Sequence, residues 1–184
     1  MRRLVDAERV RRLMRELGGA ARSPVRIYFT GGASAVLLGW RKSTVDIDYR
    51  VEPDNADVLA GIPTLKERLE INLEPASPQD FIPELSGWRD RARFIAQEGP
   101  ASFFHYDFYA QALAKIERGH AQDLADVRSM LGFGLVEIVR LEAAFQEIER
   151  SLSEDHRYSA IDARAFRRSF TETLAKAAER SEPA

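Results

Sequence analysis

Residues 25–50, VRIYFTGGASAVLLGWRKSTVDIDYR, decide how the chain is read. The opening VRIYFT is β-branched and aromatic, follows Ser23-Pro24 and runs directly into Gly31-Gly32, which predicts a strand ending in a tight turn. ASAVLLGW then reads as a short buried helix. STVDIDYRV alternates as a strand does, with Val45, Ile47 and Tyr49 on one face and Thr44, Asp46, Asp48 and Arg50 on the other. Glycines at a strand-to-helix turn let the backbone come close to a phosphate, and the helix N-terminus beyond them carries partial positive charge. Ser34 can add a hydroxyl there. Asp46 and Asp48 project from one face about 7 Å apart along the strand, which suits joint chelation of a hard divalent cation. A phosphate cradle beside two metal-binding carboxylates is the minimum for in-line attack on a nucleoside triphosphate.

Working outward, Val10, Leu13, Met14 and Leu17 fall at helical spacing with arginines opposite, which predicts an amphipathic helix over roughly 6–18 that stops at Gly18-Gly19. Downstream, LEINLE alternates Leu69, Ile71 and Leu73 against Glu70, Asn72 and Glu74 and reads as another strand. The proline-rich EPASPQDFIPELSGW reads as an ordered loop, and RARFIAQ and ASFFHYDF as further strands. From about Phe108 the pattern is almost wholly helical, and the terminal ERSEPA reads as frayed. The expected class is therefore α+β: a small mixed sheet flanked by helices over residues 1–108, followed by a helical C-terminal domain over residues 109–184.

Composition narrows the function classes. A chain of 184 residues with 45% hydrophobic and 30% charged residues can build a core and is neither disordered nor fibrous. No apolar run is long enough to span a bilayer, and MRRLVDAERVRR lacks the apolar stretch of a signal peptide, so the expectation is a cytoplasmic protein without membrane association. The absence of cysteine removes thiolate zinc sites and cysteine nucleophiles. A net charge of −2 argues against an extended phosphate-gripping surface. Its distribution is uneven: residues 1–26 carry eight arginines against three acids, and residues 46–84 carry ten acids against three basic residues. A divalent cation belongs with the acidic block, and any RNA contact with Arg11 and Arg12 of the first helix.

Order and spacing then point to a family. Gly31-Gly32, followed after thirteen residues by Asp46-Ile47-Asp48, resembles the signature of the DNA polymerase β-like nucleotidyltransferase superfamily, with Thr30 and Tyr49 as mild departures in its flanking positions. Lys42 and Thr44 ahead of Asp46 are similar to the basic-x-Ser/Thr-x-Asp-x-Asp segment of the AbiEii/MenT-type minimal nucleotidyltransferases. Lys115, Arg118, Asp123 and Asp126 in KIERGHAQDLADV look like that group's late helical motif. INLEPASPQDFIPELSGW and FHYDFYAQALAKIERG together resemble the DUF6036 branch, the whole match covering roughly residues 25–131.

The resemblance implies transfer of a nucleoside monophosphate from an NTP to a hydroxyl, on the 3′ end of a tRNA or on a partner protein in a toxin–antitoxin pair. A catalytically silent nucleotide- or partner-binding module is the alternative. Gly31, Gly32, Ser34, Lys42, Thr44 and Asp123 would bind the nucleotide, Asp46, Asp48 and Glu74 two Mg2+ ions, and Lys115 the phosphates in a cleft between the two domains. Glu74 is the first candidate for the third carboxylate, with Asp80 and Glu70 behind it. Asp126 is expected to pair with Arg118 or Arg128, and His105 to hydrogen-bond within the aromatic run FFHYDFY, which is read as core. Arg150 and His156 fit a loose ribonuclease spacing that an arginine-rich chain meets by chance.

Overall fold

The computed structural model describes residues 4–178. Within it the chain forms two compact units, residues 4–77 with 92–106 and residues 78–91 with 107–178. The first holds α1 (Ala7–Ala20), β1 (Val25–Thr30), α2 (Gly31–Leu38), β2 (Asp46–Glu52), α3 (Ala56–Arg68), β3 (Asn72–Pro75), β4 (Arg93–Glu98) and β5 (Ala101–His105). Its five strands make one mixed sheet in the order β3-β2-β1-β5-β4. The β1/β2 and β4/β5 pairs are antiparallel, and β1/β5 and β2/β3 are parallel.

Strand alternation divides the sheet into two faces. Val25, Ile27 and Phe29 of β1, Ile47 and Tyr49 of β2, Leu73 of β3, and Ala101 and Phe103 of β5 share one face. There they join Val10, Leu13, Met14 and Leu17 of α1 and Val58, Ile62 and Leu65 of α3 in a single core. Each fully buried large apolar side chain contributes roughly 1.5–3 kcal/mol. The helices start where side chains satisfy their free amides: Asp6 accepts from Arg9 N at 2.9 Å and Asn55 from Val58 N at 3.1 Å.

Several element ends differ from the sequence expectation: β2 begins at Asp46, not Ser43, so Val45 falls outside the strand and is exposed instead of joining Ile47 and Tyr49 on the core face. α1 continues through Gly18-Gly19 to Ala20, because Gly18 packs against the backbone of β4: a Cβ there would lie 2.3 Å from the Glu98 carbonyl oxygen. The glycine serves close packing, not termination. β3 begins at Asn72, not Leu69, because α3 occupies the chain to Arg68. Glu70 turns it in the left-handed region at φ 50°, and the Arg9 guanidinium donates to the Leu69 and Glu70 carbonyls, closing the helix end.

The second unit contains α4 (Trp88–Arg91), α5 (Phe108–Arg118), α6 (Ala121–Gly132), α7 (Ile138–Leu152) and α8 (Ala163–Ala178). Phe145 of α7 stacks on Phe170 of α8 at 4.0 Å between centroids and meets Phe166 edge-on at 5.0 Å. The early segment is tied into this unit: Tyr158 Oη donates to the Gln79 carbonyl at 2.7 Å, and Arg91 pairs with the buried Asp107 at 2.8 Å. Among the described residues no helix is long and apolar enough to cross a membrane. ERSEPA, residues 179–184, lies outside the described residues.

Candidate active site

The strand-to-helix turn is built on two glycines for two different reasons. Gly31, the first residue of α2, has φ +54°, and a Cβ on it would lie 2.9 Å from Asp48 Oδ2. The carboxylate of β2 thus sits against the opening of α2, where the helix dipole favours negative charge. Gly32 lies beneath Thr44: a Cβ there would meet Thr44 Oγ1 at 2.0 Å. Thr44 cannot step aside easily, since its backbone makes a two-bond bridge with Val5, at 2.7 and 2.9 Å, and its hydroxyl donates to the Asp46 carbonyl at 3.0 Å.

Register then gathers the acids. Asp48 is opposite Thr30 of β1 on one side and Glu74 of β3 on the other, while Asp46 is opposite Asn72. Asp46, Asp48, Asn72 and Glu74 therefore share the sheet face opposite the core. The buried Asn72 amide uses both of its hydrogens here, donating to Asp46 Oδ1 at 2.6 Å and to Glu74 Oε1 at 2.5 Å. Like charges brought this close repel, and a shared donor between them offsets part of that repulsion. Asn72 thereby joins the candidate site, a position that residue type and spacing alone do not single out. Its signal was its place between Glu70 and Glu74 on the polar face of LEINLE.

The remaining predicted residues are distributed as follows. Of the three candidates for the third carboxylate, Glu74 is in register beside Asp48, Glu70 lies in the turn before β3, and Asp80 lies in a 3-10 turn of the second unit. Lys42 is exposed in the segment leading to β2. Ser34 is fully buried on the core side, where its hydroxyl donates to the Phe29 carbonyl at 3.2 Å and lies 2.9 Å from His105 Nδ1. His105, in register with Phe29, is thus bonded to Ser34 and not confined to its aromatic run. Burial, with the charge of Arg93 second, holds the His105 imidazole neutral by lowering its pKa to about 4.

Lys115 and Asp123 belong to the second unit. The buried Lys115 ammonium donates to Asp123 Oδ1 at 2.9 Å and to Asp126 Oδ2 at 2.7 Å, and Arg118 reaches the same Asp123 oxygen at 2.8 Å. Burial alone pushes the Asp123 carboxyl up, but the hydrogen bond and charge of Lys115, joined by Arg118, outweigh it and hold the group below its ordinary value. Arg118 also stacks over Phe81 at 4.7 Å. Arg150 and His156 are both exposed.

The chemistry of the donors bears on cation binding. Among the described residues no group of three or more His, Asp or Glu side chains is arranged to hold a metal ion. Asp46 and Asp48 are nonetheless hard oxygen donors at successive same-face positions, and Mg2+ needs only one or two carboxylates when substrate phosphates and water complete its shell. The pair fits such an ion.

No curated protein and no solved structure matches the chain. Its family is nevertheless shown, and over a longer span than the residues on which the sequence resemblance rested. Residues 7–174 match the family model described as "Nucleotidyltransferase of unknown function (DUF6036)", so a chain whose glycine turn faces an acidic strand pair belongs to that nucleotidyltransferase family.

Proposed function

We propose that the protein transfers a nucleoside monophosphate from an NTP to an acceptor hydroxyl, with release of pyrophosphate. One observation carries this reading: Asp48 lies against Gly31 at the opening of α2 and in register with Glu74, with Asp46 two residues before it on the same face. In the reaction the acceptor oxygen bonds to the α-phosphorus, the bond from that phosphorus to the bridging oxygen of the β-phosphate breaks, and pyrophosphate leaves. The amides at the Gly31-Gly32 turn cradle the phosphates, and the exposed Lys42 neutralises their charge. Thr44 holds the turn, and Ser34 braces it from the core side. Glu74 takes the proton of the attacking hydroxyl, with Asn72 fixing its orientation. Asp46 and Asp48, together with Glu74, would hold Mg2+, two ions in the full complex, supplying charge neutralisation at the reacting phosphate.

The resemblance to the AbiEii/MenT type supports an acceptor within a toxin–antitoxin pair, either the 3′ end of a tRNA or a partner protein. A binding-only module on the same scaffold is favoured by one specific observation, the commitment of one oxygen each of Asp46 and Glu74 to Asn72. Incubating the full chain with each α-labelled NTP and Mg2+ in a cell extract separates the two. Transfer of label to RNA or protein, lost in Asp48→Asn by at least a hundredfold, is the expected outcome. Magnesium-dependent NTP binding without label transfer would replace the enzyme with the binding module.

A further inference from the structure

The sheet face that carries the acids also carries a cross-strand row of different chemistry. Arg50 of β2 is in register with Tyr28 of β1, Tyr28 with Phe104 of β5, and Phe104 with Phe94 of β4. Arg50 follows Asp48 by two residues, so this row lies about 7 Å along the strands from the row of Asp48 and Glu74. The rings are in contact. Tyr28 stacks on Phe104 at 5.4 Å and 29°, Phe94 meets Phe104 edge-on at 5.6 Å and 73°, and Tyr106 meets Tyr28 edge-on at 6.1 Å.

Burial is graded along the row. Tyr28 and Tyr106 are fully buried, Phe104 is half-buried, and Phe94 is 60% exposed. An ordinary core aromatic would not end in a ring so open to solvent on an edge strand. The register of β4 shifts immediately after it, between Phe94 and Ala96, and such bulges re-aim side chains. The result is an exposed ring resting edge-on against Phe104, which is itself stacked on the buried Tyr28.

We propose that Phe94, backed by Phe104, is a stacking platform for a nucleobase. A nucleobase is a planar ligand whose attached phosphates match the glycine turn and acids of the neighbouring row; Arg50, at the far end of the aromatic row, is held by Glu52 at 2.6 Å. Aromatic side chains on a sheet face give base binding of useful strength without demanding one base over another. The inference rests on the nucleotidyl-transfer reading and names a specificity element for it. The base belongs either to the NTP or to an acceptor strand.

The test uses the full chain with Mg2+ and three probes measured by titration calorimetry: an NTP, inorganic tripolyphosphate and a single-stranded decaribonucleotide. Phe94→Ala, at an exposed position, should leave the circular dichroism spectrum unchanged. It should weaken binding roughly tenfold to a hundredfold for the probe whose base it stacks, and Phe94→Trp should restore it. A loss for the NTP with tripolyphosphate unaffected assigns the platform to the substrate base. A loss for the decaribonucleotide with the NTP unaffected assigns it to the acceptor strand. The platform is overturned if Phe94→Ala leaves every probe unchanged or weakens tripolyphosphate equally. Wild-type protein that binds only the decaribonucleotide, through Phe94, would retain the platform and sink the transfer reading. Failure to bind any of the three would sink both.

Discussion

Gly32→Ala sets a methyl group against Thr44 Oγ1, a side chain pinned at both its backbone and its hydroxyl. Overpacking of this kind costs about 1–3 kcal/mol. Urea unfolding should register that loss, and the pair Gly32→Ala with Thr44→Gly should recover most of it; a single variant as stable as the native chain would show that Thr44 does not fill the space above Gly32. The glycines, the two aspartates and Glu74 were legible because each is a residue type whose chemistry survives without coordinates: conformational freedom, or an acid on the polar face of an alternating strand. Ser34 and Asn72 were not. A serine one turn into a helix can face a ligand or the core, and only the pairing of β5 beside β1 decides that it meets His105. An asparagine between two glutamates on a strand's polar face gains meaning only when β2 lies alongside in register.

Within α5 and α6, spacing predicted that Lys115, Asp123 and Asp126 would recur on helices, yet not that one ammonium would serve both carboxylates. Lys115→Met removes the ammonium that both buried acids share, while Arg118 stays on Asp123. Breaking a buried network this way costs roughly 3–5 kcal/mol, since a carboxylate must lose its charge or carry it unpaired. Thermal unfolding should show the loss, and adding Asp126→Asn should return a substantial part of it. An unchanged midpoint would mean that the network adds nothing to the fold. Element types were easier to read than element ends. Core-facing periodicity identifies α1 and β3, but their limits depend on partners: the backbone of Glu98 for α1, and the Arg9 guanidinium for the turn into β3.

For the molecule as a whole, acidification should act on the two units at different pH. His105 is neutral in the folded state down to about 4, whereas in the unfolded chain it takes a proton near 6.5. The unfolded state binds more protons between those values, so stability is full above 6.5 and falls by about 3 kcal/mol as the pH drops to 4. Asp123 has the opposite starting point. Its folded pKa is lowered, so its contribution is present above 3.8 and is lost only as the pH falls below that value. Amide hydrogen exchange should therefore lose protection first around β1 and β5, and later around α5 and α6. Replacing His105 with Asn should abolish the first phase. Simultaneous loss in both regions would contradict the separation.

The backbone passes between the units at 77/78, 91/92 and 106/107. A cut after Tyr106 would put Gln79 and Tyr158, Phe81 and Arg118, and Arg91 and Asp107 on separate chains. No single break yields both halves whole, so gene fission or shuffling at one junction hands on a damaged copy of the second unit.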